Sequence, residues 1–295
     1  MRSLLFVPGD SERKLEKAFA AGADALIIDL EDSVAAANKP GARALTREYV
    51  ARMKKLAAPP RLIVRVNALD TGLTDDDVAN VVGAGPDAVM LPKAQGGPDV
   101  QHLSSKLAVC EARNGLPDGA TRIIAIATET ASALFGLASY AGASARLEGL
   151  TWGAEDLSAD IAAEANRDAA GVFTPPYALA RNMMLFAAAS ARVAAIDTVF
   201  VDFRNDAGLR AECEEARRDG FSAKMAIHPA QVAIINEVFT PDDRSIARAS
   251  RIVAAFAANP GLGVIGMDGE MVDRPHLLRA ERTLARARAA GVAID

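Results

Sequence analysis

Glu129 and Asp156 close two apolar runs in this chain, in the stretches IIAIATE (123–129) and GLTWGAED (149–156). Two carboxylates brought together where the dielectric is low cannot both stay ionised without a positive partner. Arg65 could be that partner, and so could a metal ion. Zinc or copper would recruit histidine or cysteine, yet His102, His228 and His276 are scattered and form no ligand pair. A hard cation held by carboxylates and water fits better, which makes Mg²⁺ the first expectation and Mn²⁺ the second. Two protein carboxylates leave coordination positions open. A chelating 2-oxo acid could fill them with a carboxylate oxygen and its ketone oxygen. Either carboxylate could also simply offset a helix dipole from the first turn.

Other polar residues end apolar runs in the same way: Asp29, Glu31 and Asp32; Arg65 and Asn67; Lys93; Glu155; Asp197; and His228. Together with Glu129 and Asp156 they are expected to form one ring. His228 can equally orient its loop by hydrogen bonding, and Trp152 is expected to pack the core. Ser11 reads as a helix N-cap. With Arg13, Lys14 and Lys17 it would suit the phosphates of a nucleotide-bearing thioester, or form an ordinary solvated face. No Ser-His-Asp set, nucleophile elbow or P-loop is present.

The elements that must position this ring are short aliphatic runs alternating with Ala-rich segments of helical period. The runs are 3–9, 25–32, 62–67, 88–93, 123–129, 149–156, one within 194–202, and 223–229. Runs of this kind are the signature of parallel strands covered on both faces. The echo of AGADALIIDL in GAGPDAVMLP marks a repeated βα unit. Eight strands with helices between them predict a (β/α)₈ TIM barrel, whose sites lie at the C-terminal strand ends. An open doubly wound sheet is the alternative, but PGDSER lacks the glycine fingerprint of a dinucleotide site.

A chain of 295 residues, 51% hydrophobic, can hold such a barrel at roughly 250 residues with a tail to spare. The net charge of −5 argues against nucleic acid or an anionic membrane as partner. Cys110 and Cys213 match no metal or redox spacing, and no apolar run is long enough to span a bilayer. A cytoplasmic protein is expected. The barrel is assigned to 1–258 and a C-terminal lid or oligomer-contact segment to 259–295. There Asp268-Gly269 predicts a tight hairpin, followed by an amphipathic helix over 276–290.

RSLLFVPGDSERKLEKA, LIIDLEDSV, RVN, MLPKA, ATETA, WGAEDLSAD, AIHPAQ and GEMVDRP, in this order, resemble the citrate lyase β-subunit-like branch of the HpcH/HpaI aldolase superfamily. The resemblance runs the length of the chain. It implies a Mg²⁺-dependent barrel that makes or breaks the C–C bond of a 3-hydroxyacyl thioester such as malyl-, citramalyl- or citryl-CoA. The products would be an acetyl or propionyl thioester and a 2-oxo acid. By resemblance Glu129 and Asp156 are the metal ligands, Arg65 binds the 2-oxo acid, and Phe6 lines the same pocket. Asp273, from resemblance alone, is a catalytic acid carried on a C-terminal lid to a neighbouring subunit of a trimer or hexamer. It also stands where an N-cap would precede Pro275. Two other readings stay open. An aldolase of free 2-oxo acids would use an N-terminal histidine, and none precedes His102. A citrate lyase β subunit would take its thioester on an acyl carrier protein.

Overall fold

All eight runs form parallel strands, and the sheet closes on itself. The computed structural model describes residues 1–294. Its barrel strands are β1 (Ser3–Pro8), β2 (Ala25–Asp29), β3 (Arg61–Arg65), β4 (Ala88–Leu91), β5 (Arg122–Ile126), β6 (Leu147–Thr151), β7 (Ala194–Asp197) and β8 (Ala223–Ala226). They are hydrogen-bonded in chain order, and β8 pairs with β1 to complete the circle. Closure excludes the open sheet. Between the strands lie α1 (Glu12–Phe19), α2 (Lys39–Met53), α3 (Thr74–Val81), α4 (Gly97–Arg113), α5 (Ala131–Gly136), α6 (Ala154–Asp160), α7 (Pro175–Ala191) and α8 (Asp206–Asp219). Helix α9 (Gln231–Phe239) follows β8.

Side chains alternate along each strand, so one set fills the barrel and the other meets the helices. Leu4, Ile27, Ile63, Met90, Ile124, Ile196 and Met225 pack inside. Leu5, Ile28, Val64, Val89, Ala125, Leu150 and Ala195 pack outside, under the helices. Both faces being dry, the strands need continuous aliphatic sequence, which is why they were legible as runs. Residues at one register point the same way. Asp29, Arg65 and Met90 are register partners, so the first two point into the barrel at its C-terminal end.

Asp197 corrects the expected ring. It follows the inward Ile196 and therefore faces outward, where it is buried. Lys224 on β8 bonds it at 2.7 Å and reaches Glu212 of α8 at 2.8 Å. Trp152 donates its indole N–H to the same carboxylate at 2.8 Å. Removing one member of such a buried pair typically costs about 3–5 kcal/mol, because the other charge is stranded. The expected packing role of Trp152 holds, with this bond added. Cys110 and Cys213 are both buried free thiols.

After α9 come α10 (Asp243–Ala258), the antiparallel hairpin β9 (Val264–Met267) and β10 (Glu270–Asp273), and α11 (Arg274–Ala289). The hairpin turns on Asp268 and Gly269, both with positive φ (54° and 79°), as a two-residue primed turn requires. Ile246, Ile252 and Phe256 of α10 share a separate core with Val272, Leu284 and Ala287. By packing, α10 thus goes with the tail. This unit leaves from the N-terminal face of the barrel. Arg2 bonds Thr240 just before α10, and the end of α11 returns to a hollow shared with Met1, Arg2 and Arg61. The sixteen residues of α11 span about 24 Å from the hairpin to that hollow. No described helix is long and apolar enough to cross a membrane.

Candidate active site at the barrel mouth

Arg65 anchors the mouth. Its Nε and Nη2 bond the two oxygens of Asp29, each at 2.7 Å, a forked pair that only a planar guanidinium makes. Its Nη1 lies 2.8 Å from Glu31 Oε2, and the guanidinium carbon sits 5.0 Å from the Phe6 ring centroid. Asp29 is held below the usual carboxylate range: its burial is more than offset by Arg65 and by the N–H groups of Glu31 and Ser33. Glu31 goes the other way, pushed up by burial against the pull of Arg65 and Lys93. An arginine has five N–H groups. Asp29 takes two and Glu31 faces a third, which leaves one each on Nη1 and Nη2 for a substrate.

Glu129 lies past the end of β5, just before Thr130, whose hydroxyl caps α5 by accepting from the Ala133 N–H. The side chain is 3% exposed. It packs on Gly153, where an added Cβ would stand 2.7 Å from Glu129 Cγ, so glycine is needed there for clearance. Asp156, in the first turn of α6, is more open, at 36% exposure. Burial, then the charge of Asp156, pushes Glu129 up to about 8. The backbone N–H of Lys93 donates to Glu129, while its ammonium contacts Glu31 and lies 3.4 Å from Asp156 and 3.5 Å from Asp32. Phe6, Asp29, Arg65, Asp156, Val199 and Ile227 line a cavity of about 370 Å³, near the lower end of the roughly 300–1,000 Å³ of ligand pockets.

The structure therefore gathers Phe6, Asp29, Glu31, Asp32, Arg65, Lys93, Glu129 and Asp156, and leaves out the rest of the expected ring. Asn67 is a buried brace: it bonds Asp77 and the Leu30 carbonyl and accepts from Lys39. Glu155 points away, exposed, to Asn166. His228 accepts from the Ala230 N–H and stacks on Phe203, the loop-orienting role. Ser11 is at the N-cap position of α1 but makes no side-chain capping bond. Val199 and Ile227, the apolar wall, carried no sequence signal beyond their place after β7 and β8. Among the described residues, no three His, Cys, Asp or Glu side chains converge as a ready metal cage. The buried carboxylate beside a second one remains short of positive charge.

Asp273 is apart from all of these. It N-caps α11, its carboxylate pairing with His276 in a capping box. Among the described residues it makes no polar contact with a mouth residue of its own chain.

Residues 2–229 match the family described as HpcH/HpaI aldolase/citrate lyase. The chain belongs to the HpcH/HpaI aldolase/citrate lyase family. The citrate lyase subunit beta of Leuconostoc mesenteroides subsp. cremoris is 35% identical over 98% of this chain and 93% of its own length. A (3S)-malyl-CoA thioesterase of Cereibacter sphaeroides is 38% identical over 98% and 95%. A crystal structure of the protein CitE from Mycobacterium tuberculosis, in complex with magnesium, acetoacetate and coenzyme A, superposes with a TM-score of 0.78. It is 33% identical and covers 97% of this chain and 98% of the other. The resemblance and the barrel read from the sequence are both borne out, and the match to this family and to citrate lyase β subunits marks the chain as a carbon–carbon lyase.

Proposed function

We propose that this chain is a Mg²⁺-dependent carbon–carbon lyase acting on a 3-hydroxyacyl-CoA thioester of the malyl, citramalyl or citryl type, working in the cytoplasm. The observation that carries the proposal is one barrel mouth in which a forked arginine with two spare donors stands near the buried Glu129 and the more open Asp156. Glu129 and Asp156 would hold the metal, since burial and the charge of Asp156 keep Glu129 raised despite the Lys93 contacts, and the two offer oxygen ligands suited to a hard cation. Mn²⁺ could replace it. When bound, the metal supplies Lewis acidity at the substrate's carbinol oxygen.

The chain's own residues do the rest. Arg65, oriented by Asp29, turns its two spare N–H groups to the carboxylate and carbinol oxygens of the 2-oxo acid half. Phe6, Val199 and Ile227 keep water from the same end of the cavity. Cleavage breaks the bond between the carbinol carbon and the thioester α-carbon. The electron pair goes to the α-carbon as the thioester enolate, and the carbinol proton passes to solvent water as the ketone forms. The enolate carbon then takes a proton, so no water is consumed.

Asp273 is proposed as the acid that delivers this proton, from the tail of a neighbouring subunit acting as a lid over 259–295 in a homotrimer or hexamer. Its place at the hairpin end, without contact to its own mouth, supports that arrangement. Exposed Arg13, Lys14 and Lys17 on α1, which starts at the mouth, suit the nucleotide phosphates of CoA.

The test is to offer the purified protein malyl-CoA and citramalyl-CoA with Mg²⁺ and follow 2-oxo acid and free thiol separately. Matched release of 2-oxo acid and acetyl-CoA, abolished by EDTA, is expected. Free thiol without 2-oxo acid would make the protein a thioesterase. Activity only with an acyl-carrier-protein thioester would make it a citrate lyase β subunit, and cleavage of free 2-oxo acids an aldolase.

A further inference from the structure

The mouth holds five carboxylates, Asp29, Glu31, Asp32, Glu129 and Asp156, against two cations, Arg65 and Lys93. Arg65 is committed to Asp29 and Glu31. Lys93 has φ of 51°, in the left-handed region that residues with side chains seldom adopt. Such outliers persist where the surroundings demand them, often at functional sites. Here the turn aims two different groups of one residue at the site. The backbone N–H goes to Glu129, and the ammonium goes to Asp156, Asp32 and Glu31. A single residue thus touches both halves of the carboxylate pair.

We propose that Lys93 is the built-in counter-ion of the mouth: its N–H fixes Glu129 as half of a divalent-cation site, and its ammonium competes with that cation for Asp156. The proposal rests on the reading of Glu129 and Asp156 as the metal-holding pair. Binding of the cation moves the ammonium off Asp156 towards Glu31 and Asp32, which it already contacts. Two consequences follow from charge alone. Without metal, the ammonium relieves carboxylate repulsion. With metal, the exchange selects for charge, since a monovalent cation gains nothing by replacing an ammonium and a divalent one does.

The test compares Mg²⁺ affinity by calorimetry, and Mn²⁺ affinity by electron paramagnetic resonance, for wild type, Lys93→Met and Lys93→Gly. Both variants keep the N–H to Glu129, and glycine also accepts the left-handed backbone. Removing one positive charge about 5 Å from a divalent ion tightens binding roughly tenfold or more even with the screening of water. Both variants should show this, and both should lose thermal stability in the metal-free state, a loss that added Na⁺ or K⁺ partly restores. Unchanged or weaker Mg²⁺ binding in both variants, with wild type binding normally, would overturn the counter-ion role and leave Lys93 a scaffold. A wild-type protein that binds neither Mg²⁺ nor Mn²⁺ would instead overturn the metal reading, and this inference with it.

Discussion

Glu129→Gln should make the metal-free protein more stable at alkaline pH while removing its response to Mg²⁺. Glutamine keeps an oxygen to accept the Lys93 N–H and replaces the other oxygen with an uncharged donor facing acidic neighbours. The magnitude follows from linkage. Glu129 stands at about 8 in the folded chain against an ordinary 4.5. That gap is about 3.5 pH units, and at 1.36 kcal/mol each it sets a ceiling of about 5 kcal/mol. The folded-state value is raised, so a penalty develops as pH rises from the unfolded value to the folded one and is complete above it. Relaxation around the charge leaves about 2 kcal/mol as the expected gain at about pH 9, roughly 3 °C in melting temperature, and near zero at about pH 5. Differential scanning calorimetry across this window, in EDTA and then in excess Mg²⁺, is the assay. Mg²⁺ should raise the wild-type melting temperature and leave the variant unmoved. A difference between the two proteins that does not change with pH would refute the charge-starved carboxylate. An equal Mg²⁺ response in both would refute Glu129 as a ligand.

Further expectations concern single residues. Arg65→Lys loses the fork and one or both spare donors, so kcat/KM should fall by about 10²–10³, and near-normal kinetics would leave Arg65 only its ion pair with Asp29. Gly153→Ala puts a methyl 2.7 Å from Glu129 Cγ. It should weaken Mg²⁺ binding in calorimetry while the circular dichroism spectrum is retained, and unchanged affinity would show that Glu129 yields freely. Asp273→Asn should bind Mg²⁺ and 2-oxo acid yet stop turnover and deuterium exchange into the acetyl-CoA methyl group. Co-assembly with inactive Arg65→Ala should then restore part of the activity, and no recovery in verified mixed oligomers would confine Asp273 to capping α11.

Legibility in the sequence followed burial. Strands covered on both faces must be aliphatic throughout, so β1 to β8 could be read as runs, and the residues that broke each run marked the mouth. The Asp268-Gly269 turn was legible because few residue pairs take two positive φ angles. Which side a residue faced was harder. The seventh strand could be placed only within 194–202, and a one-residue change of frame turns every side chain to the opposite face. Asp197 was therefore assigned to the mouth, whereas it serves the outer layer with Trp152 and Lys224. Lys224, the lone charge in AKMA, was the available signal for that layer. Asn67 was misassigned for a related reason, since two residues beyond a strand the chain has already turned down toward Asp77 and Lys39.

The amino-acid sequence by itself determined the repeated βα units, the barrel, the family, and the short list from which the site is drawn, because these depend on local period and residue type. Only the tertiary structure decided which members of that list meet. Arg65 joins Asp29 because register partners on neighbouring strands share a face, and Glu129 comes beside Asp156 because Gly153 leaves it room. The upward push on Glu129 and the two-sided reach of Lys93 arise from groups far apart in the chain. Charges interact through space at the barrel mouth, and their separation is set by closure of the barrel rather than by position in the sequence.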